Sequence, residues 1–160
     1  MDILWILGFA VLAYVLWELY GGTNRVTSSG PLCNVPGPGN FDTEVVGESN
    51  YQHMLEHICG GRSEDGVNKE VQATLILEDD NPHDNKAVRV DVTGYTVGYL
   101  PRADARSYRN KLKRAGHPRL TVTCAALITG GWDRGGDDRG YFGISLDLPE
   151  RFAKGVLKPQ

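Results

Sequence analysis

Residues 78–102, EDDNPHDNKAVRVDVTGYTVGYLPR, restrict the fold more than any other part of the chain. Residues 87–92 alternate, with Val88, Val90 and Val92 expected inward against Arg89 and Asp91 outward, and residues 96–100 return after a Thr93-Gly94 turn. A period of two on both sides of a tight turn is the pattern of a β-hairpin. Upstream, residues 71–77, VQATLIL, alternate and then become continuously apolar, as expected of a strand buried on one face at its start and on both at its end. A polar turn, Asn81-Pro82-His83-Asp84, separates the two runs. The segment therefore predicts a small β-domain.

Pro101 suits the first turn of a helix, and the residues after it place Ala105, Tyr108, Leu112 and Ala115 on one stripe. Arg102, Arg106, Arg109 and Lys113 follow the same three-and-four spacing on another stripe, so the helix is expected to be apolar inward and basic outward. Residues 43–46 read as a first strand. Asn50 is the expected N-cap of a helix over 51–59 that Gly60-Gly61 stops, with Tyr51, Met54, Leu55 and Ile58 as its apolar stripe. Residues 120–128 and 141–148 predict two further strands, joined by a mobile loop, GGWDRGGDDRG.

The N-terminus has a different character. Residues 3–17 are continuously apolar or aromatic, and the run extends to Tyr20 with Glu18 as its only charge. At 1.5 Å per residue this covers roughly 27 Å, the hydrocarbon thickness of a bilayer. A single transmembrane helix over 3–20 is expected. A secretory signal peptide fits less well, because the chain starts Met1-Asp2 and has no small-residue cleavage site. Residues 21–40 are rich in Gly, Pro and Ser and read as a flexible linker, residues 41–149 as the globular domain and residues 150–160 as a tail. Arg25 leans the orientation toward a cytoplasmic C-terminal domain. Three cysteines, Cys33, Cys59 and Cys124, form no CxxC pair and leave an odd thiol, which suggests neither a disulfide framework nor a thiolate zinc site.

The formal charge of -3 includes Asp2 and Glu18, so the remainder carries -1 and no global basic field attracts a polyanion. Any nucleic-acid affinity must come from local clustering. Such a cluster exists: residues 102–119 hold seven Lys or Arg against Asp104 alone. It reads either as a solvated helix face or as a surface that neutralises phosphates. The Asn81–Asp84 turn also has two readings. Asn and Asp side chains cap their own backbone in such turns. Alternatively, His83 offers a flat ring for a base and Asp84 an acceptor for a sugar hydroxyl, the contacts that hold a single-strand end.

His53-Met54-Leu55-Glu56-His57 matches the H-x-x-E-H pattern of inverted zinc peptidases, a remote alternative because such a site needs a further ligand and a cleft. Asp79, Asp80 and Asp84, and Asp133, Asp137 and Asp138, lack the spacing of a calcium loop. No P-loop or nucleophile elbow occurs. No catalysis, metal or cofactor is expected.

VVGESNY at the start, LEDDNPHDNKAVRV in the middle and VGYLPR before the basic helix resemble the HIRAN domain, which occurs in fork-remodelling ATPases and as a stand-alone bacterial module. The similarity runs over residues 45–148. It implies a mainly β (α+β) fold with one or two helices, an OB-like or SH3-like small barrel with a capping helix that binds single-stranded DNA at its 3′ end. By motif position, Asn81 and Asp84 would hold the terminal sugar and its hydroxyl, and His83 would replace the usual tyrosine as stacking surface. Tyr99 and Arg102 would lie near base and phosphate, and Tyr51 would add a second aromatic. On the basic stripe, Arg106 and Arg109 are expected to join Arg102 on the phosphates. Ser49 and Asn50 stand where DNA-binding members use an arginine and an aromatic. The expected function is thus a membrane-anchored module for single-stranded nucleic acid. The alternative is a protein-interaction domain that keeps the fold without DNA binding.

Overall fold

The computed structural model describes residues 32–152 and Leu157. The expected span over 3–20 lies outside these residues, and none of the helices among them is long and apolar enough to cross a membrane. In chain order the elements are β1 (Leu32–Asn34), β2 (Thr43–Glu44), a 3-10 turn (Glu48–Asn50), α1 (Gln52–Cys59), β3 (Val67–Glu78), β4 (Ala87–Val92), β5 (Tyr95–Tyr99), α2 (Arg102–Arg114), β6 (Thr121–Gly130) and β7 (Phe142–Leu146).

The strands form one sheet in the order β2-β7-β6-β3-β4-β5, antiparallel throughout except that β1 joins β6 in parallel. The sheet curls into a half-barrel, where the resemblance implied an OB-like or SH3-like small barrel. Among the described residues its two edges meet where the chain leaving β2 reaches Val46, which exchanges backbone hydrogen bonds of 2.8 and 2.9 Å with Tyr99 at the end of β5. Val97 is an extra residue between the Val90–Gly98 and Asp91–Thr96 pairs, and such a bulge bends an edge strand toward closure. Gly98 allows the approach: a Cβ there would lie 2.5 Å from Val45 Cγ1 and 2.8 Å from the Val46 carbonyl oxygen.

The core draws on β3 (Ala73, Leu75), β4 (Val88, Val90, Val92), β6 (Val122, Cys124, Ala126, Ile128) and β7 (Phe142, Ile144, Leu146), closed by Ala105, Tyr108 and Leu112 of α2 and by Leu55 of α1. The α2 stripe expected from spacing is the one that packs. The Thr93-Gly94 turn carries positive φ at both positions (51° and 86°), which matches the right-handed twist of the flanking strands.

Four expectations need correction. Residues 32–40 were expected in the linker, but β1 pairs with β6 and Cys33 and Val35 are buried; two apolar residues at alternate positions suffice to dock a short edge strand. Gly39 N–H then donates to the buried Asp147 carboxylate at 2.8 Å and straps the segment down. Arg89 and Asp91 were expected outward, yet all of β4 is buried, because these two side chains pair with each other. Asn50 does not cap α1. It closes the 3-10 turn, and the helix starts after Tyr51 without a side-chain cap. Gln52 anchors the start instead, its amide bonding the Phe142 N–H and C=O at 2.8 and 2.9 Å. Finally, β3 begins at Val67, since its first half pairs with β6 although its sequence is polar. The 131–141 loop folds back on itself through Asp133–Arg139 and a Trp132 Nε1–H bond to Asp138.

Candidate nucleic-acid interface

Asn81 organises the turn between β3 and β4. Its Oδ1 accepts the backbone N–H of His83 (2.9 Å) and of Asp84 (3.2 Å), while its Nδ2 donates to Glu78 Oε2 (2.7 Å). The backbone-capping reading of the turn therefore holds for Asn81. His83 is left exposed at the tip.

Asp84 faces α2. Its Oδ1 accepts the Lys86 N–H at 2.9 Å, and its carboxylate lies 3.2 Å from Arg106 Nη1 and 3.8 Å from Arg102 Nε. The Lys86 N–H, opposed by some desolvation and then joined by the charges of Arg106 and Arg102, holds the Asp84 carboxyl below the usual range. Arg109 is the deepest of the three: it donates to Asp79 at 2.7 Å and to the carbonyls of Lys86 and Ala87, both at 2.9 Å. Its hydrogen bond lowers the Asp79 carboxyl in turn. The turn and the basic stripe are thus neighbours on one rim. The arginines differ in availability: Arg102 is 76% exposed and Arg106 50%, but Arg109 only 14%.

Tyr99 and Tyr51 form the second part of the rim. Tyr99 is half-buried; burial, then the nearby Glu78 carboxylate and Tyr51, raises its pKa above the ordinary phenol range. The β4–β5 register sets Tyr99 opposite Arg89, whose guanidinium bonds Glu78, the partner of Asn81, and this links the two parts.

Sequence reasoning missed the buried polar network beneath the rim. Arg89 donates to Glu78 Oε1 (2.6 Å) and to both oxygens of Asp91 (2.9 and 3.2 Å), and Asp91 accepts from Thr96 Oγ1 (3.0 Å). Burial alone would lower the Arg89 pKa, but the bonds and charges of Asp91 and Glu78 outweigh it and raise it. The available signal was an Arg and an Asp two residues apart in a strand otherwise made of Ala and Val.

In the HMLEH motif, Glu56 is paired with Arg62 at 2.9 Å and His57 packs edge-on against Tyr95 at 5.6 Å. Among the described residues no group of three His, Cys, Asp or Glu could hold a metal ion, so the motif acquires no further ligand.

A family model described as the HIRAN domain matches residues 38–125, just over half of the chain. No curated protein and no solved structure matches.

Proposed function

The chain belongs to the HIRAN domain family, a binding module associated with DNA ends, and from that premise we propose that the rim built by the 79–86 turn and α2 binds single-stranded DNA at its 3′ end, with no catalysis of its own. The observation that carries this reading is the contact between Asp84 and the exposed guanidinium groups of Arg102 and Arg106, beside the exposed His83. A phosphate can take up the guanidinium N–H groups that Asp84 leaves free, since an arginine has five donors. A base would stack on His83, and Tyr99 and Tyr51 would line the path of the next nucleotide. Asn81 would act through the turn it shapes. Residues 3–20, by their length and apolar character, would anchor the module to a membrane with the domain on the cytoplasmic side.

The test is fluorescence anisotropy of the full chain, in a neutral detergent, with a labelled single-stranded oligonucleotide at low salt. Saturable binding that weakens steeply with salt is expected. Absence of binding at low salt overturns the reading.

A second reading has one observation in its favour. Arg106 and Arg109 are already paired with Asp84 and Asp79, so a polyanion must compete with the protein's own carboxylates. A protein-interaction domain that keeps the fold without DNA binding accounts for that pairing and for Ser49 and Asn50. Anisotropy that stays flat at low salt favours it.

A further inference from the structure

Resting on DNA-end binding at this rim, we propose that Glu78 is a positioning residue: it transmits the fixed geometry of the buried Arg89–Asp91 pair to the turn that presents His83 and Asp84. Glu78 closes β3, and each of its carboxylate oxygens has its own donor. Oε1 takes Arg89 Nη1 at 2.6 Å and Oε2 takes Asn81 Nδ2 at 2.7 Å. Arg89 is itself locked by Asp91, and Asp91 by Thr96 on β5. On the other side, Asn81 Oδ1 holds the N–H groups of His83 and Asp84. An unbroken line of hydrogen bonds therefore runs from the edge strand β5 through β4 and the end of β3 to the tip of the turn.

The chemistry requires a carboxylate at 78. Arg89 and Asn81 both present donors, and with both in place a carboxylate gives each its own acceptor oxygen. An amide there has one acceptor, so its NH2 group would face a donor. Arg89 cannot serve phosphate, because it is buried and its charge is spent on two carboxylates. Its place is internal. Arg89, which Glu78 holds, sits opposite Tyr99 in the β4–β5 register, so the same network runs beneath both parts of the rim.

An exchange of groups tests the link. Glu78→Gln leaves one donor unmet, and Asn81→Asp sets two carboxylates against each other. In the double variant the amide at 78 accepts from Arg89 and donates to the carboxylate at 81, which still receives both backbone N–H groups. Two readouts on the full chain are required: amide hydrogen exchange of His83 and Asp84 by NMR, and the affinity ratio for oligothymidylate with a free 3′ hydroxyl against a 3′ phosphate. Each single variant should speed the exchange and cut the ratio by about five- to tenfold, as expected when a part-buried hydrogen bond is replaced by a clash of two donors or two acceptors. The salt slope should stay unchanged, because every phosphate-facing arginine is kept. The double variant should return to within about twofold of wild type. Asn81→Asp leaves Arg89 untouched and keeps the test valid if Glu78→Gln fails to fold. Unchanged protection and ratio in the singles, or a double no better than either, overturns the proposal. If wild type itself shows no end preference, the functional reading falls, and the exchange measurements still decide the link.

Discussion

Arg109 reaches from α2 to Asp79, thirty residues earlier in the chain, with Nη1 2.7 Å from Oδ1. The same guanidinium bonds the carbonyls of Lys86 and Ala87, so it clamps both ends of the turn between β3 and β4 to the helix. The spacing on α2 placed Arg109 with Arg102 and Arg106, but its packing sets it apart: it is used by the fold, and they are open to a ligand.

Arg109→Ala should therefore lower stability rather than merely affinity. Depriving two backbone carbonyls and a carboxylate of their partner should cost about 1–3 kcal/mol, read as a lower urea midpoint with the slope unchanged. A midpoint equal to wild type contradicts the clamp.

Arg102→Ala should behave in the opposite way. Its side chain is 76% exposed and holds Asp84 only at 3.8 Å, so the urea midpoint should stay put. Binding of every single strand should weaken, and the log–log salt slope should flatten by about 0.7, because one phosphate is no longer neutralised. A slope that does not change removes Arg102 from the interface.

The turn's link to α2 should survive mild acid. The Asp79 and Asp84 carboxyls are held below their ordinary values, Asp79 chiefly by Arg109 and Asp84 chiefly by the Lys86 N–H. A carboxyl with a depressed folded-state pKa contributes stability above its unfolded value, about 3.9, and that contribution disappears as pH falls through the folded value. The side-chain carboxyl 13C shifts of Asp79 and Asp84, which report their own ionisation rather than that of the neighbouring His83, should hold steady from neutrality to about pH 4 and move only below it. A carboxyl titration midpoint above about pH 4 would contradict the two contacts.

Gly98→Ala tests how the half-barrel closes. The added methyl would sit 2.5 Å from Val45 Cγ1 and 2.8 Å from the Val46 oxygen, so the Val46–Tyr99 bridge must open. A destabilisation of about 1–3 kcal/mol is expected, with faster exchange of the Val46 and Tyr99 amides. A neutral substitution means the edges are not stitched there.

Strands and helices with a clear period were legible in the residues alone. The alternation at 87–92 predicted β4 with its bounds intact, and Pro101 with the Ala105, Tyr108 and Leu112 stripe predicted α2. What period cannot convey is what covers the second face of a strand. Arg89 and Asp91 read as solvent-facing because they are charged, yet they neutralise each other inside the sheet with Glu78. β1 was hidden for a related reason: its three residues sit in Gly- and Pro-rich sequence, and only the exposed flank of β6 makes them a strand. For the candidate site, the adjacency of turn and basic helix followed from chain order, because β4 and β5 are short and return α2 beside the turn. The difference between Arg109 and its neighbours did not, since it depends on carbonyls that no side-chain pattern records.

The central claim is that this rim recognises the 3′ end of a single strand. Anisotropy titration of the full chain against one labelled oligonucleotide, free or phosphorylated at its 3′ end, measures it most directly. Tighter binding of the free hydroxyl end is predicted, with the preference abolished in Asp84→Ala; equal affinity for the two ends would contradict it.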